Sequence, residues 1–175
     1  MAQAQLMYVG TSEGLVMLSN PGRTERWLTV GNELAGESIT ALACEAEAPM
    51  RAVAASAGGL HLTSDGGQQW APHEGEPPPA PAAAYDFPAQ PPARLRIAGD
   101  PPALERAGDD GEWAAAAFEA AGEPAVIAAP AYHPDTAYVG TAGGEIWQST
   151  DRGRSWIRIK RDLPPVQAIA LGRLL

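Results

Sequence analysis

Four of the five tryptophans, Trp27, Trp70, Trp113 and Trp156, recur every 43 residues. Before each stands a degenerate copy of one pattern. The clearest is Tyr138-Val-Gly-Thr141, then Glu145-Ile-Trp-Gln-Ser149, then a polar turn into Trp156. Tyr8-Val-Gly-Thr11, Val53-Ala-Ala-Ser56 and Arg96-Ile-Ala-Gly99 open the other copies. A period of about 40–45 residues holding four short strands marks propeller blades, because one such unit cannot bury its apolar faces and must stack on neighbours.

The expected fold is therefore all-β: a β-propeller of four four-stranded blades in one domain spanning 1–175. Aligning the copies places strands at 6–11, 15–19 and 26–30, then a complete blade over 38–74, another over 82–120 and another over 125–163. Alternation supports strands in Leu60-His-Leu-Thr63 and Trp156-Ile-Arg-Ile-Lys160. The segment 166–172 is left over. It matches the first strand of each blade, whereas the N-terminus starts at the second-strand position. The C-terminal strand is thus expected to complete the N-terminal blade and close the ring, removing exposed edges. Exchange of this strand between two chains, giving a swapped homodimer, is the alternative to a monomer. Two stretches are irregular. The run Gly75-Glu-Pro-Pro-Pro-Ala-Pro81 reads as a long connection between blades. The run Ala114-Ala-Ala-Ala-Phe-Glu-Ala-Ala121 has helix propensity, but the register of Trp113 places a strand over 112–119.

The turns Thr63-Ser-Asp-Gly-Gly-Gln-Gln-Trp70 and Ser149-Thr-Asp-Arg-Gly-Arg-Ser-Trp156 resemble the Asp-box of bacterial-neuraminidase-type repeats. The residue chemistry is structural. Asp65 and Asp151 can accept backbone N–H bonds, Gly67 and Gly153 can take a positive φ, and Trp70 and Trp156 can pack back on the hairpin. The first copy (Asn20, Gly22) has two extra residues before Trp27, and the third (Asp109, Gly111) has one fewer before Trp113. The resemblance implies a fold more than a function, since sialidases, other glycosidases, sorting receptors and photosystem assembly factors share the repeat.

Net charge is −9 and the pI about 4.7. Nucleic acid and anionic membranes are therefore unexpected partners. Lone Cys44 forms no internal disulfide, and no apolar run reaches transmembrane length. The N-terminus lacks the basic region of a signal peptide, so a cytoplasmic location is expected. No phosphate loop or cofactor motif is present, and His61, His73 and His133 lack metal-ligand spacing. No cofactor and no metal are expected.

Sialidase-type propellers place their boxes away from the working face, so the resemblance directs attention to the loops at the other end. Those loops carry Glu13, Glu33, Glu37, Glu74, Glu76, Asp100, Glu119, Glu123, Glu145 and Asp162. Glu13, Glu37, Asp100 and Glu145 are the candidate ligand-binding residues. The box end is expected to be less negative, because Arg23, Arg152 and Arg154 lie in its turns. A sialidase-like glycoside hydrolase would also need an arginine cluster and a tyrosine nucleophile, and neither is visible on these loops. The expectation is a non-catalytic scaffold that binds a protein or small ligand on its acidic face, with no catalytic residue assigned. A reduced glycoside hydrolase is the alternative.

Overall fold

The computed structural model describes residues 4–22, 25–45 and 48–174. Sixteen strands form four antiparallel sheets of four. Blade 1 comprises β1 (Gln5–Thr11), β2 (Gly14–Asn20) and β3 (Leu28–Glu33), with β16 (Val166–Arg173) as its innermost strand. Blade 2 runs β4 (Ile39–Glu45), β5 (Ala48–Ser56), β6 (Gly59–Thr63) and β7 (Ala71–His73). Blade 3 runs β8 (Ala84–Phe87), β9 (Ala93–Ala98), β10 (Ala103–Ala107) and β11 (Trp113–Ala115). Blade 4 runs β12 (Pro124–Ala128), β13 (Ala137–Thr141), β14 (Ile146–Ser149) and β15 (Ile157–Lys160). No helix among the described residues is long and apolar enough to cross a membrane.

Closure is as expected. β16 pairs antiparallel with β1 of the same chain, from Gln5 opposite Arg173 to Thr11 opposite Val166. The ring is thus joined by pairing between its first and last strands. Most strand ends shift by a residue or more from the sequence reading, and two of the shifts have a visible cause. The third strand begins at Leu28, not at residue 26, because Trp27 turns inward and is only 4% exposed. The strand expected over 112–119 is short, Trp113–Ala115, and the chain beyond it is irregular rather than helical. Ala116 N–H still donates to Leu104 C=O, which extends the ladder by one rung and leaves Phe118 to fold over Trp147 and Trp156.

Three apolar clusters fill three of the four blade junctions. One joins blades 4 and 1 (Val9, Leu18, Trp27, Tyr138, Ile146). One joins blades 1 and 2 (Tyr8, Leu15, Ile39, Leu42, Ala54). One joins blades 3 and 4 (Phe87, Leu95, Val139, Trp156). Each fully buried aliphatic side chain in them contributes about 1.5–3 kcal/mol of transfer free energy. The repeated Tyr-Val-Gly-Thr gains a physical meaning here. Its Gly lets neighbouring blades approach closely: a Cβ on Gly10 would lie 2.7 Å from Ile39 Cγ2, and one on Gly140 would lie 2.4 Å from Val166 Cγ1. Its Thr secures the hairpin, since Thr11 Oγ1 donates to Gly14 C=O (2.8 Å) and Thr141 Oγ1 accepts from Glu145 N–H (3.1 Å).

No apolar cluster among the described residues spans blades 2 and 3. The proline-rich connection, residues 74–83, belongs to this junction. It ends by pairing with its neighbours: Ala82 C=O accepts from Ile127 N–H and Ala83 C=O from Ile97 N–H, both at 2.8 Å. The connection also lines an axial cavity of about 440 Å³, together with Leu42, Tyr85, Ile127 and Ala168 from the four inner strands. The alanine-rich inner strands are what allow four blades to share so narrow an axis.

Candidate functional site

The two well-formed turns are built alike. Thr63 Oγ1 donates to Asp65 Oδ1 (2.9 Å) and accepts from Gly67 N–H (2.9 Å), while Asp65 Oδ1 accepts from Gln69 N–H (3.0 Å). Ser149 and Asp151 repeat this at 2.8, 2.8 and 2.9 Å with Gly153 and Ser155. Gly67 and Gly153 sit at φ of 89° and 79°. Trp70 and Trp156 Nε1–H donate to the carbonyls of these glycines, both at 3.2 Å. The Gln69 N–H and the Thr63 hydroxyl hold the Asp65 carboxyl below its ordinary value. For Asp151 burial acts upward, but bonds from Ser155 and Ser149 outweigh it and the carboxyl is also lowered. Both aspartates are thus turn-building acceptors. In the third copy the acceptor is Asp110, which takes the Glu112 N–H at 3.0 Å, in place of the aligned Asp109. In the first, Asn20 accepts from Gly22 N–H at 2.9 Å.

At the opposite end the loops are stitched together. Ser12 N–H donates to Pro165 C=O, Gly36 N–H to Glu13 C=O, Leu163 N–H to Gly144 C=O and Ala142 N–H to Glu123 C=O, all within 2.8–3.1 Å. These bonds link the β1–β2 hairpin, the β13–β14 hairpin and three blade-to-blade connections into one rim. Glu13 is exposed on it. Glu37 is half-buried, and its carboxylate lies against the β5–β6 hairpin, where a Cβ on Gly58 would be 3.2 Å from Glu37 Oε2. Asp100 is exposed in the turn between β9 and β10, in blade 3.

Glu145 differs from the other three. It is 4% exposed, Oε1 accepts from Ala121 N–H at 2.7 Å and Oε2 takes Arg158 Nη1 at 2.8 Å. Burial acts to raise its carboxyl, and the Arg158 and Ala121 bonds bring it below the ordinary value. It braces the rim from beneath. Nothing in the sequence singles out Arg158; its alternation with Ile157 and Ile159 marks only a strand face.

At the end that carries these turns, Arg152 is held by Asp135 (3.2 Å) and donates to Pro91 C=O (2.6 Å), and Arg154 is exposed. Arg23 lies outside the described residues. Cys44 lines the axial cavity, and burial, then Glu45, pushes its thiol up to about 11. Among the described residues no group of three or more His, Cys, Asp or Glu is placed to hold a metal ion.

No family model and no curated protein matches the chain. Solved structures do. YCF48 from Cyanidioschyzon merolae is 20% identical over 71% of this chain and 40% of its own, with a TM-score of 0.33. YCF48 bound to D1 peptide is 19% identical over 73% of this chain and 41% of its own, TM-score 0.32. An ancestral GH74 enzyme is 16% identical over 92% of this chain and 25% of its own, TM-score 0.38. The chain spans less than half the length of each.

Proposed function

We propose that this chain is an Asp-box propeller acting as a non-catalytic scaffold, and that its acidic rim holds a cationic segment of a partner protein or a cationic small ligand. The observation that carries this reading is the backbone stitching of the rim, which presents carboxylates on loops held together rather than on separate tips. Glu13 and Glu37 are the groups offered from the stitched loops, Asp100 adds a carboxylate from the separate β9–β10 turn, and Glu145 keeps the platform in place. A preorganised acidic surface raises association rates for cations and loses strength with added salt. A glycosidase would need two available carboxyls about 5–9 Å apart. Glu145 would have to give up Ala121 and Arg158 before it could serve as one of them.

The test is titration calorimetry with a blocked hexalysine peptide at low and at physiological salt. Binding should weaken with salt and drop about tenfold in the E13Q/E37Q/D100N variant, about 1.4 kcal/mol. Equal binding by the triple variant would overturn the rim as the site. Turnover of sialosides or glucan oligosaccharides, lost on changing these carboxylates, would replace the scaffold with the hydrolase.

A further inference from the structure

A second surface lies at the periphery between blades 4 and 1, beside the connection that carries Leu163 into the rim. There a groove of about 420 Å³ is lined by Trp27 and by the run from Arg158 to Asp162. β15 is the outermost strand of blade 4, so one of its edges has no strand beside it. Its ladder with β14 slips by one residue between Ile146 and Trp147. That bulge blunts the edge for strand addition, so recognition here must run through side chains.

Three features of the groove are anomalous for this protein. The first is the indole of Trp27. The residue is 4% exposed, yet its Nε1–H has no hydrogen-bond partner among the described residues. The equivalent N–H of Trp70 and Trp156 is satisfied by a glycine carbonyl. A buried N–H left unpaired costs about 1–3 kcal/mol, which an incoming acceptor would recover. Second, a chain of net charge −9 puts Arg158, Lys160 and Arg161 within four residues. Arg158 is engaged by Glu145, Arg161 has only the solvent-exposed Asp162 at 3.5 Å, and Lys160 has no ion-pair partner among the described residues. Third, the residues next in the chain to Trp27 and Arg158 are exposed aliphatics, Leu28 at 44% and Ile157 at 38%.

Cations alone would serve to keep an edge solvated. Cations beside exposed aliphatics and a buried unpaired donor describe a partner that is both acidic and apolar. We infer that this groove captures an acidic, partly apolar peptide segment, a carboxylate of which accepts from Trp27 Nε1–H and pairs with Lys160 and Arg161. The apolar side chains of the segment cover Leu28 and Ile157. Nucleic acid fits less well, because it offers no aliphatic groups and the rest of the chain repels a dense polyanion. The rim carboxylates Glu13, Glu37 and Asp100 do not line this groove, so separate variants test the two readings.

The probe is a fluorescein-labelled, end-blocked hexapeptide of alternating glutamate and leucine, read by anisotropy at about 50 mM salt. Saturable binding is expected, weakened about tenfold in K160E/R161E and more modestly in W27F, which keeps an aromatic ring and removes the N–H. The pair K160Q/R161Q gives a second, milder variant, with its thermal midpoint checked against the parent. Four results would each overturn the inference: no saturable binding by the parent protein, equal binding of a lysine–leucine peptide, tighter binding of a single-stranded oligonucleotide, or indifference to K160E/R161E. A protein dimer dissolved by K160E/R161E would name a second copy as the occupant and overturn it as well.

Discussion

The indole of Trp70, in blade 2, stands edge-on to the phenol of Tyr8 in blade 1, with ring centroids 6.0 Å apart and planes at 88°. Trp27 of blade 1 repeats the contact on Tyr138 of blade 4, at 5.8 Å and 89°. The repeat thus carries its own junction: the tryptophan of one blade meets the tyrosine of the blade before it. Edge-to-face pairs of this kind are worth about 0.5–1.5 kcal/mol beyond the area they bury. Blade 2 has Val53 where the tyrosine would stand, and Trp113 of blade 3 comes after a shortened turn. Trp113 lies instead beneath the guanidiniums of Arg94 and Arg96, at 5.0 and 4.1 Å. This is the junction that lacks an apolar cluster.

The tryptophans should therefore differ sharply in what they contribute. Trp156→Ala should cost about 3–5 kcal/mol, the range for emptying a buried aromatic site. Trp113→Ala should cost about 1 kcal/mol, the scale of a partly exposed cation–π stack. Urea denaturation of the two variants beside the parent measures both; equal losses would show that the 2–3 junction is as well packed as the others.

Asp151 should act through its turn, and its effect should depend on acid. Asp151→Ala leaves the Ser155 N–H without its acceptor and should cost about 1–3 kcal/mol at neutral pH. The folded carboxyl lies below its ordinary value. Its contribution is therefore fully present above the unfolded value of about 3.9 and is lost as pH falls through the folded one. The gap between parent and variant should shrink below about pH 4. A gap that is constant from neutral pH to about pH 3 would assign the loss to packing instead.

Gly140→Ala should destabilise more than an ordinary surface substitution. The added methyl would sit 2.4 Å from Val166 Cγ1 and 3.0 Å from Val126 Cγ1, both on inner strands. Overpacking of this kind costs about 1–3 kcal/mol. Val166→Ala placed on top of it should restore part of the loss, and a double-mutant cycle by thermal denaturation reads the coupling. Strict additivity would mean that the two positions do not touch.

Removal of residues 166–175 should leave β1 as an unpaired, apolar inner edge. The truncated chain is expected to aggregate, and a supplied peptide of residues 166–175 to restore a soluble species by filling the missing strand position. Sedimentation of the truncated protein, with and without a synthetic peptide of residues 166–175, checks this. A soluble, folded monomer without the peptide would show that the strand closes nothing.

The spacing of the four tryptophans and the leftover strand 166–172 determined blade number, strand order and closure on their own, because a repeat that cannot bury its faces alone has few ways to stack. The bonding of Asp65 and Asp151 was legible because a turn is local: its acceptor, glycine and tryptophan lie within eight residues. What each junction contains was decided only in three dimensions. Glu145 reads as a rim carboxylate until Arg158 and Ala121, 13 and 24 residues away, are brought to its two oxygens. Gly10 and Gly140 read as strand residues until Ile39 and Val166 arrive against them. Trp27 keeps its place in the period, but its turn has two extra residues and its N–H lacks the glycine carbonyl that Trp70 and Trp156 use. Periodicity sets which residues face inward, whereas the partner each one meets depends on the neighbouring blade.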